Sequence, residues 1–320
     1  MKIESFPRKL FLFRNNLCMF AQTQNELHNM KHMSILAVSL LALVACTPEK
    51  KQEADYSQYV NPMIGTDFTG NTYPGAQVPF GMVQLSPDNG LPGWDRISGY
   101  FYPDTTIAGF SHTHLSGTGA GDLYDISFMP VTRPYKEAPA PLGIYSTFSH
   151  NDEAASAGYY RVLLKDYNIN VELTATERCG IQRYTFPEAE ASVFLNLKKA
   201  MNWDFTLDSK IEVVDSTTIR GYRLSQGWSP LQHVYFETRF SKPFVACHMD
   251  TTSIVTKEKG WIGTAYVARF DFNTKKDEEI LVTTGISGVS MEGAGKNLRA
   301  EAPKDDFDYY QAQASANWNR

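Results

Sequence analysis

An all-β fold, an antiparallel β-sandwich, is what the sequence predicts from residue 58 onward. Three observations predict it. Apolar residues recur at every second position through many short segments. Those segments are rich in Val, Ile, Tyr, Phe and Thr, and Gly, Pro, Asn and Asp bound them. Long helical patterns are almost missing until the chain nears its end. Many short strands at close spacing then argue for antiparallel sheets packed face to face.

The chain has 320 residues, of which 42% are hydrophobic and 13% aromatic. That is enough for one or two domains with real cores. Its net charge of −5 gives no basic footprint, so nucleic acid is not an expected partner. No GxSxG, P-loop or HExxH string occurs, which removes the common hydrolase and nucleotide readings. The four cysteines are Cys18, Cys46, Cys179 and Cys247, with no CxxC pair to suggest structural zinc. Cys179 and Cys247 read as small buried hydrophobes rather than a disulfide.

Taken in order, residues 1–29 look unlike the rest and read as an over-extended start. Met30-Lys31-His32-Met33 then precedes the apolar run Ser34–Ala45. A basic start before a short apolar segment is a secretory signal, so 30–45 reads as a signal peptide. The run is too short to span a bilayer, which needs about 20 apolar residues. Leu43-Val44-Ala45-Cys46 looks like a bacterial lipobox, with Cys46 acylated as the mature N-terminus. A lipid anchor at Cys46 implies a membrane contact and a place in the cell envelope. Residues 46–57 are charged and aperiodic, and read as a tether.

The sandwich is expected over 58–302. Its strands are read at Gln77–Leu85, Ile107–Phe110, Asp125–Val131, Tyr159–Leu164, Asn170–Ala175, Gly180–Phe186 and Ala191–Leu197. Further strands follow at Ile211–Asp215, Thr218–Leu224, His233–Phe240, Val245–His248, Trp261–Phe270 and Glu279–Thr284. Past Pro303 the period changes. Phe307–Arg320 has helix formers at helical spacing, with Asp305 or Asp306 placed to cap it.

The stretch Tyr59–Pro130 carries dense Gly and Pro punctuation beside polar and aromatic groups. Loops of that kind on a rigid scaffold usually carry function. Trp94-Asp95-Arg96 is one candidate: a Trp face stacks on the C–H face of a sugar, and Asp or Arg binds its hydroxyls. The bland alternative is a buried Trp over an Asp–Arg ion pair. His112-Thr113-His114 is the other candidate. Residues two apart on an extended chain share a side, so both imidazoles could reach one sugar or one metal. Asp122 and Asp125 are the nearest further ligands. The surrounding hydroxyls of Ser111, Thr113, Ser116 and Thr118 favour a hydrogen-bonded or sugar-facing pair over a metal site. Glycoside hydrolysis needs two flanking carboxylates, and no such pair can be placed by spacing.

Several strings resemble the start of the glycoside hydrolase family 92 α-mannosidases. They are Val60–Thr66, Tyr73–Asp88, Gly93–Gly119 and Gly121–Ile126, with weaker matches at Glu172–Pro187, Gly221–Trp228, Val234–Phe244 and Thr283–Glu301. The resemblance implies the β-sandwich first domain of a calcium-dependent, inverting exo-α-mannosidase acting on mannose-containing glycans. In that family loops of the first domain help wall the active-site pocket, which favours sugar binding at Trp94, Asp95, Arg96, His112 and His114. The acid, the base and most calcium ligands come from an α/α-barrel domain, and no residue here matches them. Residues 303–320 are therefore expected to start the helical linker to a catalytic domain that is missing. On that expectation the helix frays and Trp318 sits in solvent. The alternative is a stand-alone carbohydrate-binding lipoprotein of the envelope.

Overall fold

Strands form where the period-2 pattern runs, and their alternate residues decide which face is buried. A computed structural model describes residues 54–198, 202–256 and 261–320. The expected over-extended start, signal peptide and acylated Cys46 lie outside the described residues. At the end of the expected tether the chain is already engaged: Ser57 is buried, and the Tyr56 amide donates to Asn319 Oδ1 at 2.8 Å.

In chain order the strands are β1 (Ser86–Asp88), β2 (Thr106–Ile107), β3 (Gly109–Ser111), β4 (Ser127–Thr132), β5 (Glu137–Ala138) and β6 (Gly143–Ile144). They continue with β7 (Ser146–Thr147), β8 (Glu153–Ser156), β9 (Tyr159–Leu164), β10 (Ile169–Ala175), β11 (Cys179–Phe186) and β12 (Ala189–Asn196). The last are β13 (Phe205–Val213), β14 (Thr218–Gln226), β15 (Gln232–Phe240), β16 (Ala246–Thr256), β17 (Trp261–Thr274) and β18 (Glu278–Ser287). Helices α1 (Met291–Glu301) and α2 (Phe307–Trp318) follow.

Two antiparallel sheets face each other. One has the order β1-β3-β4-β12-β17-β16, the other β13-β14-β15-β18-β11-β10-β9-β8. Their inward residues make one core, with Phe110, Phe128, Val193 and Phe270 from the first sheet and Val162, Val171, Phe236 and Val282 from the second. The ring of Phe240 on β15 crosses the gap to Phe128 and Phe270, at centroid distances of 6.5 and 5.2 Å. Burying such a side chain contributes about 1.5–3 kcal/mol.

The larger sheet is buried on both faces at its centre. On β11, Tyr184 and Phe186 point into the sandwich, whereas Cys179 and Ile181 join Leu281, Leu298, Phe307 and Tyr310 beneath the helices. Cys179 is thus outside the sandwich core, while Cys247 packs against the core from β16. Both are free thiols.

The expectation that the last helix frays is corrected. Asp306 caps it, accepting from the Tyr309 amide at 3.0 Å. Phe307 and Tyr310 are each only 2% exposed, and the Arg183 guanidinium lies 4.4 Å from the Phe307 ring centroid. Trp318 is half-buried, and its Nε1–H donates to the Gln77 carbonyl at 2.7 Å. A short helix is marginal alone but stable once packed, and here β9 to β11 supply the packing.

Other boundaries shift. Gln77–Leu85 is a looped-back turn rather than a strand: Ala76 bridges Leu85, and the Gly81 amide returns to Val78 O at 3.1 Å. Pro79 inside the run fixes φ and removes a donor. Ile107–Phe110 splits between β2 and β3, which belong to different sheets. Val245–His248 lengthens into β16, and Ile211–Asp215 is the end of β13.

Helix α1 had no signal of its own, because Gly293 and Gly295 dilute its pattern. Ser290 caps it through Gly293 N at 3.0 Å. Gly295 lets it approach β15, since a Cβ there would meet Glu237 Oε2 at 2.5 Å.

Candidate functional site

Antiparallel pairing gathers loops at strand ends. Registers Asn196↔Ser127, Ala175↔Gly180, Tyr235↔Ser287 and Ser225↔Gln232 bring the connections after β3, β10, β12, β14 and β18 to one end of the sandwich. Each expected site residue lies at this end.

The backbone here is unusual. Phe80, Leu123, Tyr124, Ile126 and Asn202 all have positive φ, between 56° and 88°. Side-chain-bearing residues hold that region only where surroundings enforce it, and such strain clusters at functional sites.

The enforcing group behind Leu123–Ile126 is Arg223, fully buried on β14. Its guanidinium pairs with Asp125 Oδ1 and Asp204 Oδ2, both at 2.6 Å, and donates to Thr206 Oγ1 at 2.9 Å and Leu123 O at 3.3 Å. Asp125 Oδ2 also accepts from Thr113 Oγ1 at 2.7 Å and Gln232 Nε2 at 2.9 Å. Burial, with the nearby Asp125 carboxylate, pushes Asp204 up to about 6. Arg223 stays charged, its pKa raised by the two carboxylates against the cost of burial. Removing one member of such a set costs about 3–5 kcal/mol.

The histidines lie inside. His112 is fully buried, its Nδ1 2.7 Å from Ile126 O, with no hydrogen-bond partner for Nε2. Burial pulls its pKa down to about 4. His114 is 3% exposed and lies 2.7 Å from Gln84 O through Nδ1. Its Nε2 faces Asp88 Oδ1 at 2.9 Å and Ser111 Oγ at 3.0 Å. Both rings brace the loops from below.

These two rings do not form a shared metal site with Asp122 and Asp125. Asp125 is taken by Arg223, and Asp122 accepts from the Trp228 and Ser229 amides at 2.8 and 2.9 Å. Among the described residues no cluster of three or more His, Cys, Asp or Glu is arranged to hold a metal ion.

Trp94-Asp95-Arg96 forms a short 3₁₀ turn at the surface. The Trp94 indole is 59% exposed, its ring edge against the Gly119 backbone. Asp95 is half-buried beside Arg96, whose guanidinium it helps keep charged. Arg96 is committed elsewhere: it binds Asp104 with two nitrogens and lies 4.8 Å from the Phe101 ring centroid. Asn202 ties the turn down by accepting from Gly93 N at 2.8 Å.

Next to this turn is a cleft of about 530 Å³ lined by Leu115, Ser116, Thr118, Ala120, Asp122, Leu123, Trp228, Ser229 and Gln232. Hydroxyls, an amide and apolar walls meet there, the mixture that ligand clefts show. Trp228 at its rim is 79% exposed, and Phe80 at the same end of the sandwich is fully exposed despite its strained φ of 60°. Spacing did not single out Phe80 or Trp228. The Pro79–Gly81 and Gly227–Pro230 punctuation around them was the available signal.

A sequence model of the glycosyl hydrolase family 92 N-terminal domain matches residues 59–287. A family 92 α-mannosidase from Bacteroides thetaiotaomicron, solved in complex with mannoimidazole, superposes with a TM-score of 0.75 at 37% identity, over 83% of this chain and 37% of that one. A family 92 inverting mannosidase from the same organism gives 0.69 at 26% identity, over 85% and 36%. A secreted glycosidase of uncharacterized activity from Arthroderma benhamiae is 26% identical over 172 residues, 51% of this chain and 21% of that protein. The chain thus spans well under half the length of these relatives.

Proposed function

Because the chain belongs to glycosyl hydrolase family 92, whose N-terminal domain it carries, we propose that it forms the sugar-facing wall of an α-mannoside-binding site. The observation that carries this is the set of exposed aromatics, Trp94, Trp228 and Phe80, held by strained or buried-charge supports at one end of the sandwich. Exposed rings gathered at one end of a domain mark a binding surface, whereas rings scattered singly need no partner. The C–H face of a pyranose is such a partner.

In this reading Trp94 stacks on the terminal mannose, and the half-buried Asp95 beside it accepts from its hydroxyls. Arg96 holds the turn through Asp104. His112 and His114 contribute from the interior by bracing the loops. Chemistry at the glycosidic bond needs two carboxyl groups flanking it, about 6.5–9.5 Å apart for inversion. The cleft presents one carboxylate, Asp122, already engaged by two amides. The domain therefore binds and positions, and inverting hydrolysis in the whole enzyme draws its acid and base from outside the described residues.

The test is tryptophan fluorescence of the chain titrated with methyl α-mannoside. Saturable quenching that Trp94→Ala removes supports the reading, and no saturable change in the parent chain overturns it. The leader and Cys46 add a cell-envelope location through a lipid anchor. Cys46→Ala is expected to release the protein from membranes, and unchanged membrane association would count against the anchor.

A further inference from the structure

The turn joining β14 to β15 carries Trp228 to the rim of the cleft. Its fixing point is Asp122, a residue only 6% exposed on the facing loop. One carboxylate oxygen accepts from Trp228 N at 2.8 Å, the other from Ser229 N at 2.9 Å. The turn also closes on itself, Gly227 N to Ser229 O at 3.1 Å. Ionised acceptors on paired amides give short, strong, directional bonds. The carboxylate reaches this position because residue 227 is glycine: a Cβ there would lie 2.6 Å from Asp122 Cγ. The backbone of Trp228 is thus clamped from inside while its indole remains 79% exposed.

Loop Leu115–Leu123 touches both tryptophans. Trp94 rests on Gly119, and Trp228 is tied three residues further on, through Asp122. Thr118 and Ala120, which flank Gly119, line the cleft together with Trp228. One loop therefore sets the spacing of two aromatic faces. Trp228 on the cleft and Trp94 beside it, on the other side of the same loop residues, suit two consecutive rings of a glycan chain.

We propose that Asp122 is a positioning residue that presents Trp228 as the platform for the sugar following the terminal mannose. This rests on the sugar-facing reading of the cleft. Trp228 then sets the preference for a mannosyl chain over a lone mannoside, and Asp122 acts only through it.

The test compares methyl α-mannoside with an α-linked mannobiose on the full chain by calorimetry, using Trp94→Ala, Trp228→Ala, Asp122→Ala and Asp122→Asn. Loss of one aromatic contact is expected to weaken mannobiose binding about three- to tenfold. Trp228→Ala and Asp122→Ala should do this while leaving methyl α-mannoside affinity unchanged. Asp122→Asn keeps one of the two acceptors, so its loss should be intermediate. Amide hydrogen exchange at Trp228 and Ser229 should quicken in both Asp122 variants while the strand amides of β11 and β18 stay protected, which shows that the variants fold. If Trp94→Ala weakens both sugars while the Trp228 and Asp122 variants bind mannobiose like the parent, this proposal fails and the sugar-facing reading stands. If the parent binds neither sugar, both fail. If methyl α-mannoside is weakened equally in the Asp122 variants, Asp122 is a general structural support and the assignment is overturned.

Discussion

His114 Nε2 lies 2.9 Å from Asp88 Oδ1 with both side chains fully enclosed, joining the loop after β3 to the end of β1. The same ring reaches Gln84 O at 2.7 Å, so it fastens the approach to β1, the end of β1 and the loop after β3 to one another. A histidine placed this way is a bracket under the site.

Replacing it tests that role. His114→Ala deletes these contacts and the one to Ser111 Oγ. The expected loss is about 1–3 kcal/mol of unfolding free energy, the scale for leaving a buried polar partner unsatisfied. Urea denaturation at neutral pH measures it. A loss below about 1 kcal/mol, the scale of an ordinary solvent-compensated hydrogen bond, would show that the bracket is dispensable.

His112 gives a pH signature. Its folded pKa of about 4 lies below the ordinary value of 6.5. Between those values the unfolded chain binds a proton that the native state refuses. Stability therefore falls as pH drops from 6.5 to 4 and is constant, for this group, above 6.5. The full window is worth about 3 kcal/mol. His112→Asn keeps an N–H donor near Ile126 O and removes the titration. The parent is expected to lose about 3 kcal/mol more than the variant between pH 7 and pH 4. Subtracting the two curves cancels other groups, including Asp204, whose raised pKa acts in the opposite sense across an overlapping range. Parallel curves would rule out a neutral buried His112.

Helix α2 should behave as part of the domain. Amides from Tyr310 to Trp318 are expected to exchange slowly, and Trp318 emission should be blue-shifted relative to a solvated indole. Phe307→Ala removes a ring packed between Tyr159 and Arg183 and should cost about 3 kcal/mol or more. Fast exchange along the helix in the parent chain would contradict the docking.

Catalysis by the chain itself is expected to be undetectable. Release of mannose from an aryl α-mannoside should match the uncatalysed rate, with or without added calcium. Positioned acid–base groups supply on the order of 10² to 10⁴ each in rate, and the cleft offers no free pair. Turnover that Asp122→Asn abolishes would overturn this and reassign Asp122 to chemistry.

Much of the scaffold was legible before any coordinates. Segments such as Tyr159–Leu164, Gly180–Phe186 and His233–Phe240 alternate inward and outward residues, so their pattern names their strands. A cap at Asp305 or Asp306 was legible too, because capping is local chemistry, and the structure selects Asp306. Helix α1 was hidden, since Gly293 and Gly295 serve a close approach to β15 that only the packed sheet defines.

The sequence by itself determined the sandwich and the family, and it marked the Gly- and Pro-rich stretch that carries the candidate residues, because alternation and turn residues act over a few neighbours. Tertiary structure decided which residues face the cleft. Arg223 meets Asp125 across 98 positions of chain, and Asp122 meets Trp228 across 106. Those contacts tie Leu123 and Asp125 to β14 and fix the backbone of Trp228, whose indole stays outside. Side-chain direction at a strained loop depends on such distant partners, and no local pattern encodes them.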